Sequence, residues 1–183
     1  MDSIKFKNFE FKKNNIYVIF GDNGVGKTTF LTSIFMLSKY FGESIFYDGI
    51  ASENLKPLQK KSIKNRMIYL KSKGNLQDFL TIRGNLEYLN IDESIISKTK
   101  FLDKKPSELS GGEEQIVSLS LLFIKNKDVI LLDEVTSFMD QENENIAKEI
   151  FNKAKKDKII ILTTHDIRFK MDEAIKVDLL NIS

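Results

Sequence analysis

The chain has 183 residues, 42% of them hydrophobic and 30% charged, with only 2 Pro and 9 Gly; the length suits about one domain, and the composition excludes disordered, collagen-like and mucin-like chains. Its 28 basic and 26 acidic residues nearly cancel, to +2, which supplies no electrostatic case for a nucleic-acid binder. Zero Cys and one His remove disulfide scaffolds, zinc fingers, iron–sulfur proteins, thiol proteases and poly-His metal hydrolases, so any metal must be held by oxygen.

At the amino end, Ile4, Phe6, Phe9 and Phe11 alternate with Lys and Glu, as a strand with one wet face would. Residues 16–20 then run almost continuously apolar into Gly21, the pattern of a strand buried on both faces. After a Gly-rich turn, Thr28 to about Tyr40 carries Phe30, Leu31, Ile34, Phe35 and Leu37 at helical spacing. Residues 42–80 read as strands and loops, with an Asp48-Gly49 turn and a short strand at 66–70, and residues 83–108 as a polar, weakly helical stretch. Glu113 to about Lys125 reads as a helix, 129–132 as a buried strand, 143–156 as an amphipathic helix and 158–163 as another buried strand. Buried strands separated by helices imply parallel pairing with right-handed crossovers, hence an α/β class. The first fifteen residues hold no apolar core of signal-peptide length, and the apolar runs at 129–132 and 159–162 are too short to span a bilayer, which predicts a cytoplasmic chain.

Gly21-Asp22-Asn23-Gly24-Val25-Gly26-Lys27-Thr28 fits the phosphate-loop pattern G-x-x-x-x-G-K-[S/T], set between a buried strand and a helix. Glycines let successive backbone amides face phosphate oxygens, Lys27 meets the β/γ oxygens, and the Thr28 hydroxyl can ligate Mg²⁺. Thr29, one step into the helix, completes the candidate binding set. Asp133 and Glu134 end the strand at 129–132. Such an acidic strand end could merely cap the next helix; beside the phosphate loop, Asp133 is assigned to the metal and Glu134 to the attacking water. Leu109-Ser110-Gly111-Gly112-Glu113 is by itself an ordinary helix N-cap, and also an anion-binding arrangement. The single His165 follows a buried strand; lone histidines are usually surface or satisfied core residues. A Ser–His–Asp hydrolase lacks its G-x-S-x-G elbow here.

The set of residues 21–28, 109–113, 131–134 and Thr164-His165-Asp166 resembles the ATP-binding cassette family, the nucleotide-binding subunits of ABC transporters, over nearly the whole chain. The resemblance implies a phosphate-loop NTPase: a mostly parallel sheet flanked by helices, an amino-terminal antiparallel β portion and a reduced helical subdomain at about 83–110 within one domain, 1–183. It implies that ATP and Mg²⁺ are bound and that Ser110, Gly111 and Gly112 reach across a head-to-tail dimer to the γ-phosphate held by the partner. It further makes Glu134 the catalytic base, His165 the γ-phosphate switch, and 137–140 a dimer-contacting loop with Asp140 as its carboxylate. The implied partners are a second such subunit, identical or paralogous, and a separate membrane permease holding the chain at the inner face of the membrane, with no nucleic acid expected. A soluble ABC ATPase working on nucleic acid or the ribosome is the alternative.

The sequence departs from the family pattern in places. The family's Mg²⁺-contacting Gln falls at Ser72, whose hydroxyl is still an oxygen ligand. Val135 stands where Pro is usual, and Ile116 near a usual Arg. No residue after Ser183 appears in the sequence, so no fused permease or second cassette is expected in it. The family's adenine-stacking aromatic sits on a strand that would lie ahead of Met1, and Phe6 and Phe9 alternate like core positions. A base stack contributes roughly one to two powers of ten in affinity, so without one ATP and GTP are expected to bind within about tenfold of each other.

Overall fold

The computed structural model describes residues 1–40, 44–96, 100–135, 139–165, 171 and 173–182. Five parallel strands form the central sheet: β3 (Asn15–Phe20), β6 (Met67–Lys71), β7 (Val129–Asp133), β8 (Ile159–Thr164) and β9 (Ile175–Asp178), in the order β6-β7-β8-β3-β9. A second, antiparallel sheet has the order β2-β1-β4-β5, from β1 (Ser3–Phe6), β2 (Phe9–Lys12), β4 (Ile45–Tyr47) and β5 (Ile50–Ala51). The α/β class and the amino-terminal antiparallel portion are therefore as expected.

The unbroken apolar runs are explained by burial on both faces. Ile16, Val18, Ile130, Leu132, Ile160 and Leu162 enter one core cluster, while their neighbours Tyr17, Ile19, Val129, Leu131, Ile159 and Ile161 enter the other. The first cluster is completed by α3 (Ile82–Tyr88), α4 (Gly111–Ser120) and α5 (Gln141–Ala154), through residues such as Leu86, Ile116 and Phe151. The second joins α1 (Lys27–Ile34) to the antiparallel sheet, where Phe6 packs edge-on against Phe30 at 4.9 Å between ring centroids.

Five expectations need correction. The alternating segment at the amino end is two strands, β1 and β2, paired antiparallel, because Lys7 turns into a left-handed conformation (φ 50°) between them. The first helix stops at Ile34 rather than near Tyr40, because Met36 turns into a left-handed conformation (φ 59°) and the Leu37 and Ser38 amides fold back onto the Thr32 carbonyl. A helix, α2 (Pro57–Asn65), occupies part of the stretch read as strands and loops; none of its residues is buried, so it carries no apolar period to read. Its start is marked by Pro57 at the first position and by the Gln59 side chain accepting the Lys56 amide at 2.9 Å. The helix expected from Glu113 to about Lys125 begins at Gly111 and passes into a 3₁₀ turn at Leu121–Phe123. Finally β9 and the short α6 (Leu179–Ile182) were not anticipated, because Ile175 and Lys176 are exposed and β9 offers only a weak apolar run at the sheet edge. Between α3 and α4 the described residues form only 3₁₀ turns at Glu93–Ile96 and Pro106–Glu108. Among the described residues no helix is long and apolar enough to cross a membrane.

Candidate active site

The phosphate loop joins β3 to α1 at the carboxyl edge of the parallel sheet, where open α/β sheets bind their ligands. Gly24 and Gly26 hold φ of 86° and 102°, conformations that a side chain would strain. Gly26 is also the N-cap of α1, so the first amides of that helix emerge directly from the loop. Lys27 is 5% exposed, and its ammonium donates to the carbonyls of Gly21 at 2.7 Å and Asp22 at 3.1 Å. Two of its three donors are thus engaged, leaving one for a phosphate oxygen.

Next to it, Asp133 gathers three hydroxyl donors. Thr28 Oγ1 donates to its two carboxylate oxygens at 2.9 and 3.1 Å, Tyr69 Oη to Oδ2 at 2.7 Å and Thr163 Oγ1 to Oδ1 at 2.8 Å. Burial, and then the hydrogen bond to Asp133, push the Tyr69 hydroxyl well above the usual phenol range, so it remains a donor. Sequence reading missed Tyr69, Thr163 and Lys71, although strand register points to two of them: Lys71 and Thr163 are the register partners of Asp133 on β6 and β8.

Beyond Asp133 the strand ends abruptly. Glu134 adopts φ 55°, its amide donating to the Thr163 carbonyl at 3.2 Å, and its Oε2 lies 3.3 Å from His165 Nδ1. The candidate base and the candidate switch are therefore in contact. Asn23, Gly24, Gly26, Lys27, Thr28, Thr29, Lys71, Ser72, Asp133 and Glu134 line one cleft of about 470 Å³. Val25 lies on the loop's other side, its Cγ1 2.9 Å from where a Cβ on Gly21 would sit. The donor set suits a hard divalent cation such as Mg²⁺: hydroxyls of Thr28 and Ser72 and the Asp133 carboxylate, all oxygen.

Ser110, Gly111 and Gly112 are not part of this cleft. They line a separate one of about 400 Å³ with Lys73, Asp140 and Asn143. Ser110 is the N-cap of α4: Glu113 donates its amide to Ser110 Oγ at 3.3 Å, and the Glu113 carboxylate accepts the Ser110 amide at 2.7 Å. That backbone hydrogen bond holds the Glu113 carboxyl below its ordinary range. The Ser110 hydroxyl accepts from its own helix, so its hydrogen can point outward to an anion. Asp140 caps α5, accepting the Asn143 amide at 2.9 Å. Ser137 and Phe138 of the expected dimer-contacting loop, and Asp166, lie outside the described residues.

A family model described as ABC transporter matches residues 4–137. The chain belongs to the ABC transporter family. It is a nucleotide-binding ATPase subunit of that family, with the phosphate-loop fold. It is 31% identical over 188 residues to the energy-coupling factor transporter ATP-binding protein EcfA1 of Mycoplasmopsis synoviae, covering 92% of this chain and 68% of that relative. An ABC transporter ATP-binding protein of Pyrococcus furiosus shares the fold of this ABC subunit with a TM-score of 0.78 at 19% identity, over 98% of both chains. The dimeric structure of a bacterial ABC transporter cassette does so with a TM-score of 0.70 at 24% identity, over 91% of this chain and 89% of that one.

Proposed function

We propose that this ABC subunit binds Mg-ATP at the Gly21–Thr28 loop, pairs head to tail with a second such subunit, and hydrolyses the nucleotide to drive a separate membrane permease. The observation that carries the reading is the convergence of Lys27, Thr28, Asp133 and Glu134 on one cleft, with His165 against Glu134. The amides of the loop and α1, together with Lys27, hold the β/γ phosphate oxygens. Thr28, Asp133 and Ser72 would hold Mg²⁺, which when bound neutralises charge on those oxygens. Glu134 orients a water so that its oxygen bonds to the γ-phosphorus as the bond to the bridging oxygen breaks, and the water proton passes to the Glu134 carboxylate. His165, in reach of Glu134, senses the γ-phosphate.

Ser110, Gly111 and Gly112 have no phosphate loop within their own cleft, which favours their use by a partner. The solved dimeric cassette of the same fold supports that arrangement. The second subunit is a copy of this chain or a paralogue, and the permease would hold the pair at the inner face of the membrane. Glu134→Gln tests the reading. The variant is expected to bind ATP but to turn over at least about a hundredfold more slowly, since a positioned base contributes roughly that much, and light scattering should show an ATP-dependent dimer. Wild-type turnover by Glu134→Gln would place the base elsewhere.

A further inference from the structure

A second cavity, of about 420 Å³, opens on the other side of the phosphate loop. It shares Gly24, Gly26 and Thr29 with the cleft that holds Lys27 and Asp133, so the two spaces meet at the loop. Its remaining walls are Val25, Tyr40, Leu179 and Leu180. None of these seven residues carries a charge, so this space does not suit another phosphate; it suits something flat and weakly polar.

Its location follows from the topology. The loop leaves β3, whose neighbours in the sheet are β8 and β9, and Asp133 and Glu134 lie on the β8 side through β7. On the opposite side Phe20 is the register partner of Asp178, so β9 delivers Leu179 and Leu180 to the same sheet edge as the loop. Asp178 fixes them there, accepting the Leu180 amide at 2.9 Å. From the other wall, the early stop of α1 at Ile34 and the fold-back of Leu37 and Ser38 onto Thr32 return the chain so that Tyr40, 78% exposed, lines the same cavity as Thr29. Had α1 continued to Tyr40, that ring would lie about 9 Å further along the helix axis.

We infer that this cavity seats the nucleoside of the bound nucleotide, with Tyr40 as the stacking face for the base and Leu179 and Leu180 as the opposite, apolar wall. The inference rests on the phosphate-loop reading above: a triphosphate whose γ end lies at Glu134 runs its other end past Thr29 into this space. The two aromatic residues nearest the amino end are otherwise engaged, Phe6 being fully buried against Phe30 and Phe9 lying against Phe11 and Tyr17. Aromatic stacking accepts any base, and among the described residues of this wall no charged or amide side chain reads a base edge. The site therefore makes little choice between adenine and guanine.

The test is titration of Tyr40→Ala, Tyr40→Phe and the unaltered protein with ATP, GTP and inorganic tripolyphosphate at one Mg²⁺ concentration. Tyr40→Ala should weaken ATP and GTP alike by about tenfold to a hundredfold, leave tripolyphosphate unchanged, and be rescued by Tyr40→Phe. Unchanged ATP affinity in Tyr40→Ala overturns the inference. So does an equal loss for ATP and tripolyphosphate, which would make Tyr40 a support for the loop, and so does a preference of the unaltered protein for ATP much beyond a hundredfold. Should the unaltered protein bind neither ATP nor tripolyphosphate, the phosphate-loop reading fails and this inference falls with it; binding of tripolyphosphate alone spares the former and overturns the latter.

Discussion

Tyr69 and Asp133 stand on adjacent parallel strands, and the tyrosine hydroxyl donates to the carboxylate at 2.7 Å while Thr28 donates to the same oxygen at 2.9 Å. The carboxylate that would face the metal is thus held from behind by a phenol that burial keeps protonated. Partners that orient a metal-facing ligand in this way commonly contribute ten- to a hundredfold in metal affinity or activity.

Tyr69→Phe removes only that donor and keeps the ring that packs near Phe35, at 5.9 Å between centroids. The variant is expected to fold, to bind ATP, and to need about tenfold more Mg²⁺ for half-maximal hydrolysis. A Mg²⁺ titration of ATPase rate measures this; an unshifted midpoint would show that Thr28 and Thr163 suffice to orient Asp133.

Lys27 is nearly buried beneath the loop on two backbone carbonyls. Lys27→Ala takes away the cation that offsets the β/γ charge and leaves the Gly21 and Asp22 carbonyls without that donor. ATP affinity should fall by at least about a hundredfold, as charge-assisted contacts of this kind are the strong ones. Near-native affinity in a folded Lys27→Ala protein would contradict the assignment of the loop.

Ser110 caps α4, and on the proposed function it also meets the partner's γ-phosphate; the two roles can be separated. Ser110→Arg removes the cap and places a cation at the amino end of α4, so about 1 kcal/mol of stability should be lost, together with dimerisation. Ser110→Asp keeps an N-cap acceptor but sets a carboxylate where a γ-phosphate would arrive. It should melt like the unaltered protein and bind ATP as a monomer, yet fail to dimerise and hydrolyse. Unchanged turnover in both variants would sink the head-to-tail arrangement.

What the sequence made legible were features with short-range signatures. The loop at 21–28 and the strands at 16–20, 129–132 and 159–162 are found from glycine spacing and unbroken apolar runs, which physics ties to phosphate binding and to two-sided burial. The hydroxyls of Tyr69 and Thr163 on Asp133 were not legible residue by residue, since they depend on which strands are neighbours and in what register. The helix Pro57–Asn65 was hidden because every one of its side chains faces outward or lies only partly covered. The role inferred for Tyr40 depends on where α1 stops, and Met36 in a left-handed conformation is a tertiary outcome that its residue type does not announce.

The backbone at Glu134 sits at φ 55°, where a residue other than glycine or asparagine is disfavoured by roughly 1–2 kcal/mol. Glycine or asparagine would relieve that cost, as at Asn14, Asn90 and Asn126, which share this conformation; on the proposed function, glutamate at this position trades stability for a catalytic carboxylate. On that function the position would work as a record of use. In a lineage that ceased to hydrolyse nucleotide while still needing the fold, this glutamate would be among the first residues to drift, and the drift would run toward a protein that is harder to melt.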